Sequence, residues 1–275
     1  MSTKLKGWRF LHCKFDKVNP RPLSFIISGF DRYFAKLLKN EPRRDSAMSC
    51  DDNSDDELRE IRRRIRDSFK NENLTIICHF IPNVKLVLPE DERPSNEAFG
   101  GDFDSSDFEA SKCRLHHLFG LLLKAISEKP VLMFLDDQHW ADQASLDLIM
   151  ALVQQQANEV SNVLFVGSYR SNEVADTDPV SVTLRQIKGL SNVNFTDIPL
   201  GGLSCDDVNV MVSEALCYPQ RLTRPLSSLI HQKSTGNPLF VKGEWQLWLV
   251  LVLSLPKCGS SELIFQPDVC ERIPQ

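Results

Sequence analysis

Residues 130–152, PVLMFLDDQHWADQASLDLIMAL, constrain the fold more tightly than any other stretch of the chain. Val131 to Leu135 is an apolar run of strand length bounded by a polar turn, and it reads as a strand buried on both faces of a parallel sheet. It ends in two adjacent carboxylates, Asp136 and Asp137. Asp142 then stands where it can cap a helix whose apolar residues Leu146, Ile149, Met150 and Val153 recur at helical spacing. Ligands of open α/β sheets bind outside the carboxyl ends of the strands, which is where this pair of acids falls.

An apolar strand that ends in Asp is the pattern called Walker B in P-loop nucleotide hydrolases. There one carboxylate holds Mg²⁺ beside the nucleotide phosphates, usually through water, and the next acid often orients the attacking water. The same residues also read as a strand ending in two solvated acids, so the surrounding chain has to decide between the two.

Upstream, residues 8–16 read as a short strand, with Pro20 and Pro22 marking a turn. Leu23 to Leu38 has helical spacing, with Phe25, Ile26, Phe30, Phe34, Leu37 and Leu38 on one side and Gly29 inside it. Residues 41–56 and 89–106 are polar, acidic stretches that read as loops. Between them, residues 57–70 form a helix with five arginines, Arg59, Arg62, Arg63, Arg64 and Arg66. Clustered arginines suit nucleic-acid phosphates, but the interleaved Glu57, Glu60 and Asp67 favour a solvated helix face. Residues 74–88 are apolar and β-branched, with His79 reading as a packed core histidine.

Phe108 to Lys129 reads as a helix presenting Leu115, Leu118, Phe119, Leu122 and Ile126 on one face. Beyond the central strand and helix, Val163 to Gly167 is a second buried run that would bring Arg170 to the same sheet edge as Asp136. Pro179 to Ile187 reads as a helix and Val193 to Leu200 as a further strand. Ser204 and Asp207 outline a capping box for a helix reaching Leu216, and Pro225 to Lys233 is another helix, stopped by Gly236 and Pro238. Strands alternating with helices over residues 108–217 predict an α/β doubly wound parallel sheet.

Composition removes several function classes. A formal net charge of −5 gives no general pull toward nucleic acid or anionic membranes. The eight cysteines and six histidines show no zinc-ligand spacing, and the cysteines read as reduced thiols. The start lacks a signal-peptide pattern, and no apolar run reaches membrane-span length. The chain reads as soluble and cytoplasmic.

LDDQHWADQASLDLI at 135–149, LFVGSYRSNEV at 164–174 and GNPLFV at 236–241 together resemble the AAA-type ATPase module of large signalling proteins. This is the STAND group of P-loop NTPases, also described as origin-recognition-complex-like. Lys14-Phe15-Asp16 and Ile81-Pro82 fit its earlier segments more loosely, so the resemblance spans about residues 8–242. It implies a P-loop NTPase sheet, ATP or ADP with Mg²⁺ as ligands, and a switch driven by binding and hydrolysis. It makes Asp136 the Mg²⁺ carboxylate and gives Asp137 the position that polarises water. Arg170 resembles the sensor of the terminal phosphate. Gly236 and Pro238 resemble the G-x-P motif, whose proline packs near the adenine. On the residues alone, Arg170 pairing with a surface acid and Gly236 ending a helix stay open.

One departure is large. The P-loop pattern G-x-x-x-x-G-K-[ST] cradles the phosphates with backbone N–H groups and a lysine, and no Gly-Lys dipeptide occurs in the 275 residues. The chain is therefore expected to begin downstream of the loop, incomplete at its N-terminus. Residues 243–275, with the apolar Trp245 to Leu255, read as an irregular tail and a gene-prediction artefact. ATP and Mg²⁺ are accordingly expected only for a longer form that carries the loop. The expected function is a fragment of an ATP-binding and hydrolysing switch, inactive as an isolated chain, or alternatively a catalytically dead interaction or scaffold module. Which protein partners or neighbouring domains it serves is not encoded in these motifs.

Overall fold

A computed structural model describes residues 7–18, 21–39, 52–70, 72, 74–94, 108–158 and 162–243. The chain divides into two compact units, one of residues 2–195 and one from Thr196 onward. The first holds strands β1 (Arg9–Lys14), β2 (Val131–Asp136) and β3 (Val163–Gly167). Its helices are α1 (Ser24–Lys39), α2 (Asp52–Ser68), α3 (Leu74–Phe80), α4 (Pro82–Val87), α5 (Phe108–Ile126), α6 (Gln143–Ala157) and α7 (Pro179–Lys188). The second holds α8 (Cys205–Leu216) and α9 (Gln220–Ser234).

The strands form one parallel sheet in the order β1-β2-β3, with Lys14 opposite Asp136 and Leu135 opposite Gly167. Parallel neighbours need long crossovers, and the helices between the strands supply them. This is the α/β architecture expected from the alternation of strands and helices, and it is consistent with the P-loop NTPase sheet that the resemblance implies.

One face of the sheet is the core. Leu11, Cys13, Val131, Met133 and Leu135 are buried there with Phe30 and Phe34 of α1, Phe119 and Leu122 of α5 and Leu152 of α6. Phe30 meets Phe119 edge-on at 5.5 Å between ring centroids, locking α1 against α5. Gly29 sits in α1 because the helix lies hard against β1: an added Cβ would fall 2.4 Å from Cys13 Sγ. The opposite face is more open. Phe10, Leu164 and Val166 are 52%, 47% and 37% exposed, and Leu132 and Phe134 are half-buried. The expectation that the central strand is buried on both faces thus holds for one face, because β2 alternates buried and half-buried residues.

Other local readings shift for identifiable reasons. Residues 74–88 are two short helices, the second opened by Pro82 in its first turn, where the missing N–H costs nothing. His79 is exposed, set edge-on to Phe80, and is not a core residue. Residues 193–200 carry apolar residues at strand-like spacing but join no sheet among the described residues, and Pro199 has no N–H to give to a ladder. The helix carrying the arginines begins at Asp52, inside the stretch read as a loop, and α9 starts at Gln220 with Pro225 in its interior. Most of both polar loops (40–51 and 95–107), Trp245 to Leu255 and the rest of the tail lie outside the described residues.

Arg62, Arg63, Arg64 and Arg66 of α2 are spent on structure. Arg63 and Arg64 bond Glu60, Arg64 also reaches Glu128 at 3.1 Å, and Arg66 bonds Glu92. Arg62 donates to the Val87 carbonyl at 2.5 Å. The helix face is the mixed-charge surface that its sequence indicated. No helix among the described residues is long and apolar enough to cross a membrane.

Candidate functional site

The site is built at the carboxyl ends of three parallel strands. β1 contributes Lys14, β2 contributes Asp136, and the residue after β3 is Ser168. Pairing continues past the strand ends: Phe15 N–H donates to the Asp136 carbonyl at 3.0 Å, and Ser168 N–H to the Leu135 carbonyl at 2.9 Å. Gln138 N–H then donates to the Ser168 carbonyl at 2.8 Å, which ties the turn after β2 to the end of β3. Gly167 permits this closeness, since a Cβ there would sit 2.7 Å from the buried Gln138 amide.

Successive residues of a strand point to opposite faces, so adjacent carboxylates would normally diverge. Asp137 prevents that by adopting φ 58°, ψ 44°, a left-handed conformation that Asp tolerates better than most residues. Both acids then converge on one cation: Lys14 Nζ is 3.9 Å from Asp136 Oδ2 and 3.7 Å from Asp137 Oδ2. His12 Nε2 also lies 3.9 Å from Asp136 Oδ2, and its ring stacks on Phe134 at 5.4 Å. The other Asp136 oxygen, Oδ1, accepts from the Ser168 hydroxyl at 2.7 Å, while that hydroxyl accepts from Asp137 N–H at 3.1 Å. The two acids are 26% and 28% exposed, accessible yet fixed.

These residues suit a hydrated divalent cation. No cluster of three His, Cys, Asp or Glu side chains able to hold a metal occurs among the described residues. Two carboxylates, one with an oxygen outside hydrogen-bonding distance of any described side chain, could hold Mg²⁺, which keeps waters and takes further ligands from phosphates.

Arg170 follows two residues after Ser168 and is 63% exposed. Its Nη1 donates to Glu173 Oε1 at 2.7 Å, and this partner, with a smaller contribution from Asp137, raises its pKa. The second Glu173 oxygen lies 3.4 Å from Nε2 of His139, a side chain only 2% exposed in the turn after Asp137. Arg170 and the acids are thus neighbours linked through the two turns, with the guanidinium engaged by a surface acid.

Gly236 and Pro238 belong to the second unit. Thr235 and Gly236 both have positive φ, ending α9, and Leu203 N–H donates to the Gly236 carbonyl at 2.7 Å. A Cβ on Gly236 would meet the Leu203 carbonyl oxygen at 2.3 Å. Helix termination and close backbone packing therefore account for this glycine within its own unit.

Sequence reasoning found the acids but not Lys14 or Ser168 as their partners. The available signals were slight: a lysine closing the first strand, and a hydroxyl directly after the third.

Neither curated proteins nor solved structures gave a match to the chain. The family described as the AAA ATPase domain matches residues 2–166, more than half of the sequence. That stretch contains all of β1, α5, β2 and α6 and reaches into β3. By that match, over the strands that converge on Asp136 and Asp137, the chain belongs to the AAA ATPase domain family.

Proposed function

We propose that the first unit is the nucleotide-handling part of an AAA-type signalling switch, with Asp136 holding Mg²⁺ and Asp137 and Arg170 serving the terminal phosphate. The observation that carries this reading is the convergence of both carboxylates on a single cation at the carboxyl end of the central strand. A bound Mg²⁺ would neutralise phosphate oxygens there. Ser168 holds the Asp136 carboxylate in one orientation, and Asp137, turned by its backbone, would in this reading accept a proton from water. Arg170 has to leave Glu173 before it can meet a phosphate. Gly236 and Pro238 enter as nucleotide contacts on family resemblance alone.

In this reading tight binding of ATP and Mg²⁺ needs a phosphate-binding loop in addition, because the 275 residues contain no G-x-x-x-x-G-K-[ST]. Without those N–H groups the acids anchor a triphosphate weakly, and the chain as given is expected to turn over ATP negligibly. Equilibrium dialysis of Mn²⁺ with and without ATP tests the assignment. Asp136→Asn should abolish site-specific Mn²⁺ retention; an unchanged isotherm would sink the metal role.

A second reading, an α/β interaction module without turnover, is favoured by the engagement of Arg170 with Glu173 together with the lack of a Walker A pattern. ATP hydrolysis by the purified chain that disappears in Asp136→Ala would rule it out.

A further inference from the structure

The position of Lys14 is not explained by folding. Its side chain is 57% exposed, packs into no core, and among the described residues its ammonium approaches the two acids, both at distances beyond a hydrogen bond. Its backbone, by contrast, is fixed: it closes β1 opposite Asp136, and the next N–H donates to the Asp136 carbonyl. A fixed backbone thus carries a loosely held ammonium to the point where a metal and its phosphates would meet.

We propose that Lys14 is a phosphate-binding residue of this site, resting on the Asp136–Asp137 pair until a divalent cation takes its place. The inference rests on the reading of Asp136 as a metal carboxylate. Two ionised carboxylates carry two negative charges, of which one ammonium balances one; a divalent ion balances both and wins the acids. Lys14 then needs a new anion within reach of its four-carbon stem, and the phosphate oxygens that share the metal supply it. Lysine suits this exchange, being a flexible point charge with three rotatable donors, whereas an arginine would grip both carboxylates bidentately and resist release.

The exchange predicts effects of opposite sign from one substitution. With Mn²⁺ alone, Lys14→Met should bind the ion several-fold more tightly than the wild type, because a competing cation has gone. With Mn²⁺ saturating, the same variant should retain ATP several-fold more weakly. Loss of structure would weaken both. Lys14→Arg should bind Mn²⁺ more weakly than the wild type. Equal Mn²⁺ affinity in wild type and Lys14→Met, or ATP retention that the substitution leaves unmoved, overturns the proposal. Asp136→Asn separates the levels: if it abolishes Mn²⁺ binding while Lys14→Met changes nothing, only the role of Lys14 falls. If Asp136→Asn changes nothing either, the metal site itself falls, and this inference with it.

Discussion

Ser168 Oγ lies 2.7 Å from Oδ1 of Asp136 and, on its other side, accepts from the backbone N–H of Asp137. One hydroxyl from the end of β3 therefore fixes both acids at the end of β2. It leaves Asp136 a single oxygen, Oδ2, facing Lys14 and His12. A carboxylate restrained in this way would lose little rotamer freedom on taking up a cation.

Replacing that hydroxyl should therefore show up in binding before it shows up in folding. Hydrogen-bond partners of metal-ligating side chains typically carry about 10–100-fold in metal affinity, so Ser168→Ala should weaken Mn²⁺ retention by roughly tenfold or more. The melting temperature should move little, since the acids remain part-exposed to water. Ser168→Thr, which keeps the hydroxyl, should restore most of the affinity. An alanine variant that binds Mn²⁺ like the wild type would mean that the hydroxyl only ties the two strands together.

The parts of this fold legible in the sequence are those where several local signals coincide. In α6, Asp142 accepts from Ser145 N–H at 2.9 Å and the apolar positions Leu146, Ile149 and Val153 are buried, so cap and periodicity agree. Ser204 and Asp207 likewise form the capping box that their spacing indicated. Residues 193–200 show the opposite case. Their apolar spacing is strand-like, but a strand exists only by pairing, and pairing is decided by distant residues. Asp136 and Asp137 were legible because an apolar run ends on them. Lys14 and Ser168 were not, because parallel register, a nonlocal property, is what brings β1 and β3 beside β2.

Gly29 tests how tightly the core face of the sheet is packed. An added methyl would meet Cys13 Sγ at 2.4 Å and the His12 carbonyl oxygen at 3.0 Å, and the second of these belongs to the sheet backbone. Alanine ordinarily stabilises a helix by about 0.5–1 kcal/mol over glycine. Here overpacking, typically about 1–3 kcal/mol, should outweigh that gain. Gly29→Ala is thus expected to lower the thermal midpoint, and Gly29→Val to lower it further. A midpoint that rises in the alanine variant would show that α1 can move off β1 at little cost.

The contact between Arg170 and Glu173 offers a direct test of the sensor assignment. The pair is solvent-exposed and therefore weak, so freeing the guanidinium removes a small cost of recruiting it to phosphate. Glu173→Gln should leave stability nearly unchanged and strengthen Mn²⁺-dependent ATP retention by at most about fivefold. Arg170→Ala should weaken retention and cancel the effect of Glu173→Gln when the two are combined. If Glu173→Gln acts equally in the presence and absence of Arg170, the guanidinium does not contact the nucleotide.

The charged face of α2 makes the last prediction, on acid stability. Hydrogen bonds from Arg63 and then Arg64 hold the Glu60 carboxyl down to about 2, below its ordinary value of 4.5. A carboxyl whose pKa is depressed by folding stabilises the native state above its unfolded pKa, and that contribution disappears as pH falls through the folded value. The window is therefore about pH 4.5 down to 2, and the wild type should lose stability across it more steeply than Glu60→Gln. Because Glu60 is part-exposed to solvent, salt should reduce the difference between the two proteins. Denaturation midpoints measured at pH 6, 4 and 2.5, in low and high salt, give the comparison. Parallel curves at low salt would show that the arginines of α2 shield this carboxyl no better than water does.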